Sequence, residues 1–529
     1  MGLHRWQLPI MIYFLRCKVR VIRNNLKVLK DPFSYCNVER LNTTSRFQRA
    51  LVFQGGGSLG VYEAGVYKAT YELLSERDVK LGRKGKPLFH IVAGTSIGAM
   101  NAAVLVSYVK ENKSWQGSAD RLIEFWEYMT TESFMDIIPG FNEWWNYWRN
   151  YWHYFNKDLA SSESARRYYG TKQFMLKGVP NVFSLTKALE DRRFLDPVNT
   201  WYLYSNEPLK RSLEKFAKFP IATSYQNNEP RLLLVSVDVQ EGSTVVFDSY
   251  EKEDGTRKTE YGRYGPEFAR GPNDHEGYEH VISHNDGIEV DFVLASGSVP
   301  VNYDYTKLGV EDSNRRHGIN REDEKQKEDG NSLITKKVRY FWDGGIIANT
   351  PLREAVIEHR RYWDYVRKSE VPPLRAFIVN VHPIKQDCLP ADYDALVDRK
   401  NDLTYHDRTM FDERMAIMIT DYVNIVNSLI KLAEDKKVKK ALVDNILEQQ
   451  AETRNSSSGR HLKYADLVKH MVSVEQVIRI ERKNDAHTIA NKTFDFSRAT
   501  IKKLIRDGYE ETLEQETKIL QVWDSEHPR

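Results

Sequence analysis

"LVFQGGGSLG", residues 51–60, decides between two chemistries. An apolar run meets Gln54, then three glycines, and a fourth follows at Gly60. Such a run reads as a strand ending in a tight turn. Val61, Gly65, Ala69 and Leu73 then recur at i+4, so a helix follows. Gly55, Gly57 and Gly60 spell G-x-G-x-x-G, the fingerprint of a dinucleotide-binding turn. The same turn can instead aim the backbone N–H groups of Gly55, Gly56 and Gly57 at a developing oxyanion.

The next strand separates the two. A dinucleotide fold needs an acid at the end of its second strand, to bind the ribose hydroxyls. Here "VKLGRKGKPLFHIVAG" (79–94) is basic and its strand ends in Gly94. That argues against a nucleotide. The strand runs straight into "GTSIG" (94–98), followed by "AMNAAVLV", a helix start made of small residues. This is G-x-S-x-G in strand–turn–helix context. Ser96 sits in the turn as a candidate nucleophile. Gly94 and Gly98 flank it because bulky neighbours would clash in so tight a bend. The helix behind it directs its N-terminal dipole and free N–H groups at the site.

A serine needs a base. Asp343 in "RYFWDGGIIANTPL" and His382 in "AFIVNVHP" both follow strands. Ser96, Asp343, His382 is also the chain order of an α/β-hydrolase triad, so order alone leaves a dyad and a triad open.

The three segments together resemble the patatin-like phospholipase family. "QGGGSLG" matches its glycine-rich turn, "GTSIG" its nucleophile motif, and "DGG", with Gly344 and Gly345, its aspartate motif. "ASGSVPVNYDY" (295–305) and "ANTPL", with Asn349 and Pro351, fit two further blocks. The resemblance spans residues 47–388, in the family's order. It implies a three-layer α/β/α sandwich with a mainly parallel sheet. It implies a Ser96–Asp343 dyad with no metal or cofactor, an oxyanion hole at Gly55–Gly57 supported by Gly60, and His382 as a bystander. It further implies hydrolysis of phospholipids or other acyl lipids. Two positions depart from the pattern. Gln54 replaces a leading acid, and Leu59 replaces a basic residue. A non-catalytic lipid-binding protein on the same fold is the alternative, and the intact Ser96 and Asp343 argue against it.

The rest of the chain reads more plainly. A net charge of +3 names no partner, nucleic acid included, and three scattered cysteines supply neither a disulfide framework nor a zinc site. A reducing, cytoplasmic setting with peripheral membrane contact follows. Residues 1–46 form a basic extension. From Arg5 to Lys30 it carries seven Lys or Arg and no acid, which suits either an anionic membrane surface or a helix docked on its own domain. No stretch reads as a membrane span or a cleavable signal. Insertions interrupt the 47–388 domain near 130–175 and 306–335.

The first insertion holds "FNEWWNYWRNYWHYF" (141–155), either a lid with its rings packed inward or a membrane anchor; the lid is the plainer reading. Residues 389–529 read as mostly helical, with Met415, Ile419, Tyr422, Val426 and Leu429 along one face. "HEGYEHVISHND" contains His275, His280 and His284, with Glu276 and Glu279; the last two histidines have helical metal-ligand spacing, but the segment reads as polar surface.

Overall fold

A computed structural model describes residues 47–82, 87–133, 139–152, 161–186, 198, 201–262, 280–312, 335–454, 461–469, 474–485 and 487–524. The basic N-terminal extension, most of the second insertion, and His275, Glu276 and Glu279 lie outside the described residues. Phe47–Arg529 make one compact unit.

The strands are β1 (Gln48–Phe53), β2 (Ile91–Thr95), β3 (Ser184–Leu185), β4 (Tyr204–Ser205), β5 (Arg231–Asp238), β6 (Ser243–Asp248), β7 (Lys258–Tyr261), β8 (His280–Ser283), β9 (Thr306–Asp312), β10 (Thr335–Asp343), β11 (Leu374–Asn380), β12 (Gln450–Arg454), β13 (His461–Lys463) and β14 (Val474–Glu481). The α-helices are α1 (Val61–Lys80), α2 (Ile97–Asn112), α3 (Ser118–Met129), α4 (Phe141–Trp152), α5 (Ser162–Lys177), α6 (Glu207–Phe216), α7 (Val290–Gly297), α8 (Leu352–Arg361), α9 (Tyr393–Tyr405), α10 (Met410–Asp435), α11 (Lys440–Leu447), α12 (Tyr464–Lys469), α13 (Arg498–Leu513) and α14 (Glu516–Asp524).

The central sheet runs β14-β11-β1-β2-β5-β10-β9-β8-β7, with β6 paired to β5 off this path. From β14 to β5 the strands are parallel. From β5 to β7 they are antiparallel. Side chains of the parallel half alternate between two covered faces. Leu51, Phe53, Val92, Leu234 and Phe377 enter the larger core, with α1, α2 and α3 over them. Ala50, Val52, Ala93, Leu233 and Ile378 face the other way, under Leu352 and Ala355 of α8. Both faces being covered explains why these strands read as unbroken apolar runs. The fold is the expected α/β/α sandwich.

The C-terminal region is mostly helical but does not stand apart. Its strand β14 pairs in parallel with β11, from Leu374↔Val474 to Asn380↔Glu481. Helix α13 lies against α1 so closely that a Cβ on Gly65 would fall 2.0 Å from the Ile505 carbonyl oxygen, and one on Gly508 2.4 Å from that of Tyr62. Small residues in α1 thus admit a helix from the far end of the chain. In "VEQVIRIE" only Val474, Ile478 and Ile480 are buried, so this edge strand is easily mistaken for part of a helical face.

Two local readings are sharpened. Of the α4 rings, Trp144, Tyr147, Trp148 and Tyr151 are exposed, with Trp144 6.2 Å from Trp148 and Trp148 6.2 Å from Tyr151 between centroids, while Trp145 is half-buried and lies 6.3 Å from Tyr169 of α5. His280 and His284 are buried and belong to a strand and its end, not to a helix or a polar surface. His284 Nε2 bonds Thr259 Oγ1 at 3.1 Å, and His280 Nε2 lies 3.3 Å from Glu241 Oε1.

Candidate active site

The parallel strands end side by side, and loops leaving their C-terminal ends meet there, as in other open α/β sheets. β2 ends at Thr95 beside Val235 of β5, and Ser96 is the next residue. Ser96 has φ 57° and ψ −125°, a strained elbow that costs on the order of 1–3 kcal/mol. The surroundings hold it. Its N–H donates to Ser296 Oγ at 3.0 Å, and that hydroxyl donates onward to the Val235 carbonyl at 2.5 Å. The neighbouring Thr95 hydroxyl donates to the Ala348 carbonyl at 2.8 Å. The flanking glycines are steric necessities. A Cβ on Gly94 would lie 2.2 Å from the Gly98 carbonyl oxygen, and one on Gly98 2.6 Å from that of Phe53.

Asp343 ends β10 from the opposite direction, paired across from Ser236 on β5. One strand therefore separates it from Ser96. Its N–H donates to the Ser298 carbonyl at 2.9 Å, and its Oδ1 accepts the Gly345 N–H at 2.6 Å. Oδ2 is buried with no partner in full hydrogen-bond geometry among the described residues. Burial raises the carboxyl to about 6, while the adjacent Ser96 hydroxyl and the Gly345 N–H favour its charged form. Gly344 is needed for packing, since a Cβ there would lie 2.3 Å from the Val235 carbonyl oxygen.

The glycine turn leaves β1 next to this pair. A Cβ on Gly55 would sit 3.0 Å from Ser96 Cβ. Gly55 N–H donates to the Asn349 carbonyl at 3.1 Å, so it is not free to serve an oxyanion. Among the described residues the N–H groups of Gly56 and Gly57 make no hydrogen bond. Ile97 N–H, at the first position of α2, has no intrahelical acceptor either. Gly57 has φ +58°, and a Cβ on it would meet the Thr493 carbonyl oxygen at 2.6 Å. Gly60 packs on Ile97, and Leu59 is buried in the larger core rather than reaching for substrate.

His382 sits behind the turn. Its buried Nδ1 bonds Asp402 Oδ1 at 2.9 Å, and Lys492 Nζ holds Asp402 at 2.9 and 3.0 Å. Burial lowers the imidazole pKa, which Asp402 partly offsets. Among the described residues no hydrogen bond joins His382 to Ser96. Sequence reading missed several supports of the turn: Ser296, Tyr405, Lys492 and Thr493. Ser58 Oγ donates to the Lys492 carbonyl at 2.9 Å, and Asn349 Nδ2 donates to the carbonyls of Gly55 (3.1 Å) and Tyr405 (2.6 Å). Only Ser296 carried a signal, in the "ASGS" block. Among the described residues no cluster of metal-binding side chains occurs.

Compared with models of known families, residues 51–356 match "Patatin-like phospholipase". The chain belongs to the patatin-like phospholipase family. The matched segment of this patatin-like chain contains the glycine turn, Ser96 and Asp343. No curated protein matches it. Among solved structures it is similar to VipD from Legionella pneumophila, at 11% identity and a TM-score of 0.27, over 93% of this chain and 73% of that one. It is also similar to human GIVD cytosolic phospholipase A2, at 12% identity and a TM-score of 0.33, over 92% of this chain and 61% of that one. Likenesses this loose carry no weight of their own for mechanism.

Proposed function

We propose that this protein hydrolyses acyl esters of lipids through a Ser96–Asp343 dyad. The observation that carries the reading is the pairing of a strained Ser96 with a buried carboxyl raised to about 6. A carboxylate near 4 is a weak base at neutral pH, and burial strengthens it. Asp343 takes the Ser96 hydroxyl proton as Oγ attacks the ester carbonyl. The tetrahedral oxyanion is met by the N–H groups of Gly56 and Gly57, with Ile97 N–H on the other side. Each such donor is worth about 3 kcal/mol in the transition state. Collapse expels the alcohol, which takes the proton from Asp343. Water then repeats the sequence on the acyl-serine, releasing the fatty acid and restoring Ser96.

Two features favour the dyad over a Ser–His–Asp arrangement that would use the His382–Asp402 pair: burial lowers the basicity of His382, and among the described residues it makes no hydrogen bond to Ser96. The substrate class follows the family, and peripheral contact with a membrane follows from the substrate. The exposed rings of α4 are one candidate for that contact. Reaction with a fluorophosphonate probe tests the nucleophile. Wild type labels and Ser96→Ala does not; labelling that survives the substitution places the nucleophile elsewhere.

A further inference from the structure

Helix α10 has 26 residues and buries none of them. Phe411 stands exposed two turns before Met418, and Met418, Tyr422, Ile425, Leu429 and Leu432 follow at alternating four- and three-residue steps, a single apolar stripe along it. Tyr422 is 61% and Leu429 58% exposed. The neighbouring helices also expose apolar side chains: Tyr393, Leu396 and Leu403 of α9 before it, and Leu442 and Ile446 of α11 after it. Patches of this extent on a protein surface mark an interaction site.

We infer that the α9–α10–α11 face is the surface by which the protein lies on an anionic lipid bilayer, bringing the Ser96 site to its substrate. This deepens the lipid hydrolase reading and rests on it for the substrate.

Three observations select this occupant. The face is continuous with the site. Tyr405, the exposed last residue of α9, accepts through its carbonyl from Asn349 Nδ2 (2.6 Å) and Gln54 Nε2 (3.3 Å), both of which shape the glycine turn. Ile346 and Ile347, just beyond Asp343, are each about half exposed and extend the apolar rim to the site itself. Charge is the second. Lys436, Lys437 and Lys439 between α10 and α11, and Lys440 at the start of α11, are all exposed and outnumber the adjoining exposed Glu434 and Asp435. That order of apolar face and lysine cluster is complementary to acyl chains beneath anionic headgroups. Anchoring is the third. By length and composition the Tyr393–Asp435 segment, which takes in α9 and α10, is apolar enough to cross a bilayer. The start of α10, however, is tied to the sheet edge, where Arg479 of β14 bonds Asp407 at 2.7 Å and pairs with Glu413, and Ala416 packs on the smaller core. A helix held against the body lies along a membrane rather than through it.

The test uses the full chain and co-sedimentation with vesicles of phosphatidylcholine alone or mixed with phosphatidylserine. Hydrolysis of a soluble short-chain ester is measured in parallel. Wild type and Ser96→Ala bind the mixed vesicles equally, because binding precedes chemistry. Tyr422→Asp/Ile425→Asp/Leu429→Asp loses more than tenfold in vesicle binding and keeps wild-type turnover of the soluble ester. Replacing the four lysines by serine removes the preference for phosphatidylserine, each lysine being worth about fivefold. Trp144→Ala/Trp148→Ala changes binding less than the α10 variant does.

The proposal is overturned if wild type does not bind, if the α10 variant binds as wild type, if the lysine variant keeps its preference, or if the α4 variant alone abolishes binding. It is also overturned if sedimentation velocity shows the α10 variant splitting a dimer while vesicle binding persists, since a second copy then covers the face. Failure of wild type to hydrolyse any ester sinks the Ser96 reading and leaves the vesicle result standing by itself.

Discussion

The side-chain carbonyl of Gln54 accepts the backbone N–H groups of both Val381 and His382, at 2.8 and 3.0 Å. Its amide nitrogen donates to Thr350 Oγ1 at 2.8 Å and to the Tyr405 carbonyl at 3.3 Å. One fully buried side chain thus ties the glycine turn to the loop leaving β11, to the loop after Asp343 and to α9. A carboxylate can accept the first two bonds but cannot donate to a carbonyl, so glutamine at this position goes with the α9 contact. Gln54→Leu strands two buried N–H groups and costs about 2–4 kcal/mol of stability. Gln54→Glu costs less and more so at high pH, where its charge faces the Tyr405 carbonyl. Thermal melts at two pH values check both; equal melting temperatures for all three proteins would remove Gln54 as a brace.

Asp343→Asn separates function from stability. The asparagine oxygen still accepts from Gly345, but nothing takes the Ser96 proton, and kcat falls by at least a hundredfold on the usual scale for a general base. His382→Ala largely spares kcat. The reverse ranking in a short-chain ester assay would favour a triad.

The same substitution stabilises the fold above pH 6. The folded state binds the Asp343 proton more tightly than the unfolded chain, so folding is penalised once that proton is lost. The penalty is absent below the ordinary carboxylate pKa, grows as pH rises toward about 6, and is full above it. Asparagine removes up to about 3 kcal/mol of penalty at pH 8 and almost none at pH 3.5. Urea melts at the two pH values give the difference.

Activity titrates in the opposite sense. kcat/KM falls tenfold per pH unit below about 6 as the base is protonated. A profile flat down to pH 4 would exclude Asp343 as the proton acceptor.

Gly65→Ala forces α1 and α13 apart, because the new methyl meets backbone rather than a flexible side chain. It lowers stability by about 3 kcal/mol. Gly82→Ala is the control. It has φ +69° with nothing within 4 Å, and loses about 1 kcal/mol to backbone strain alone.

The parallel half of the sheet and the two catalytic candidates were legible because each is written locally. A strand and its loop are contiguous in "LVFQGGG", "IVAGTSIG" and "RYFWDGG", and glycine marks each close approach. What holds them was not legible. Tyr405 and Lys492 support the turn through backbone carbonyls, and Thr493 by the approach of its backbone to Gly57, all of which any residue supplies, so side-chain identity carries no trace of these roles. The commitment of Gly55 N–H to Asn349 is equally silent. The aromatic run of α4 leaves a lid and an anchor open in sequence, because composition does not say which rings face outward: Trp144 and Trp148 do, and Trp145 packs on Tyr169. The α10 stripe was visible as an amphipathic face, but periodicity cannot say whether that face is covered.

The pairing of β14 with β11 has a consequence in time. Arg375 of β11 and Glu475 of β14 are 100 residues apart and joined at 2.9 Å. At about 5–20 residues per second, a ribosome leaves β11 as an open edge for roughly 5–20 s after it emerges. Through that interval the nascent chain already holds Ser96, Asp343 and the glycine turn, yet lacks the edge strand and α13 that close the two faces around them. An unpaired parallel edge invites capture by another strand. Interrupted translation at this stage therefore releases a sticky chain, open along β11, although the residues that hold Ser96 and Asp343 have already been made.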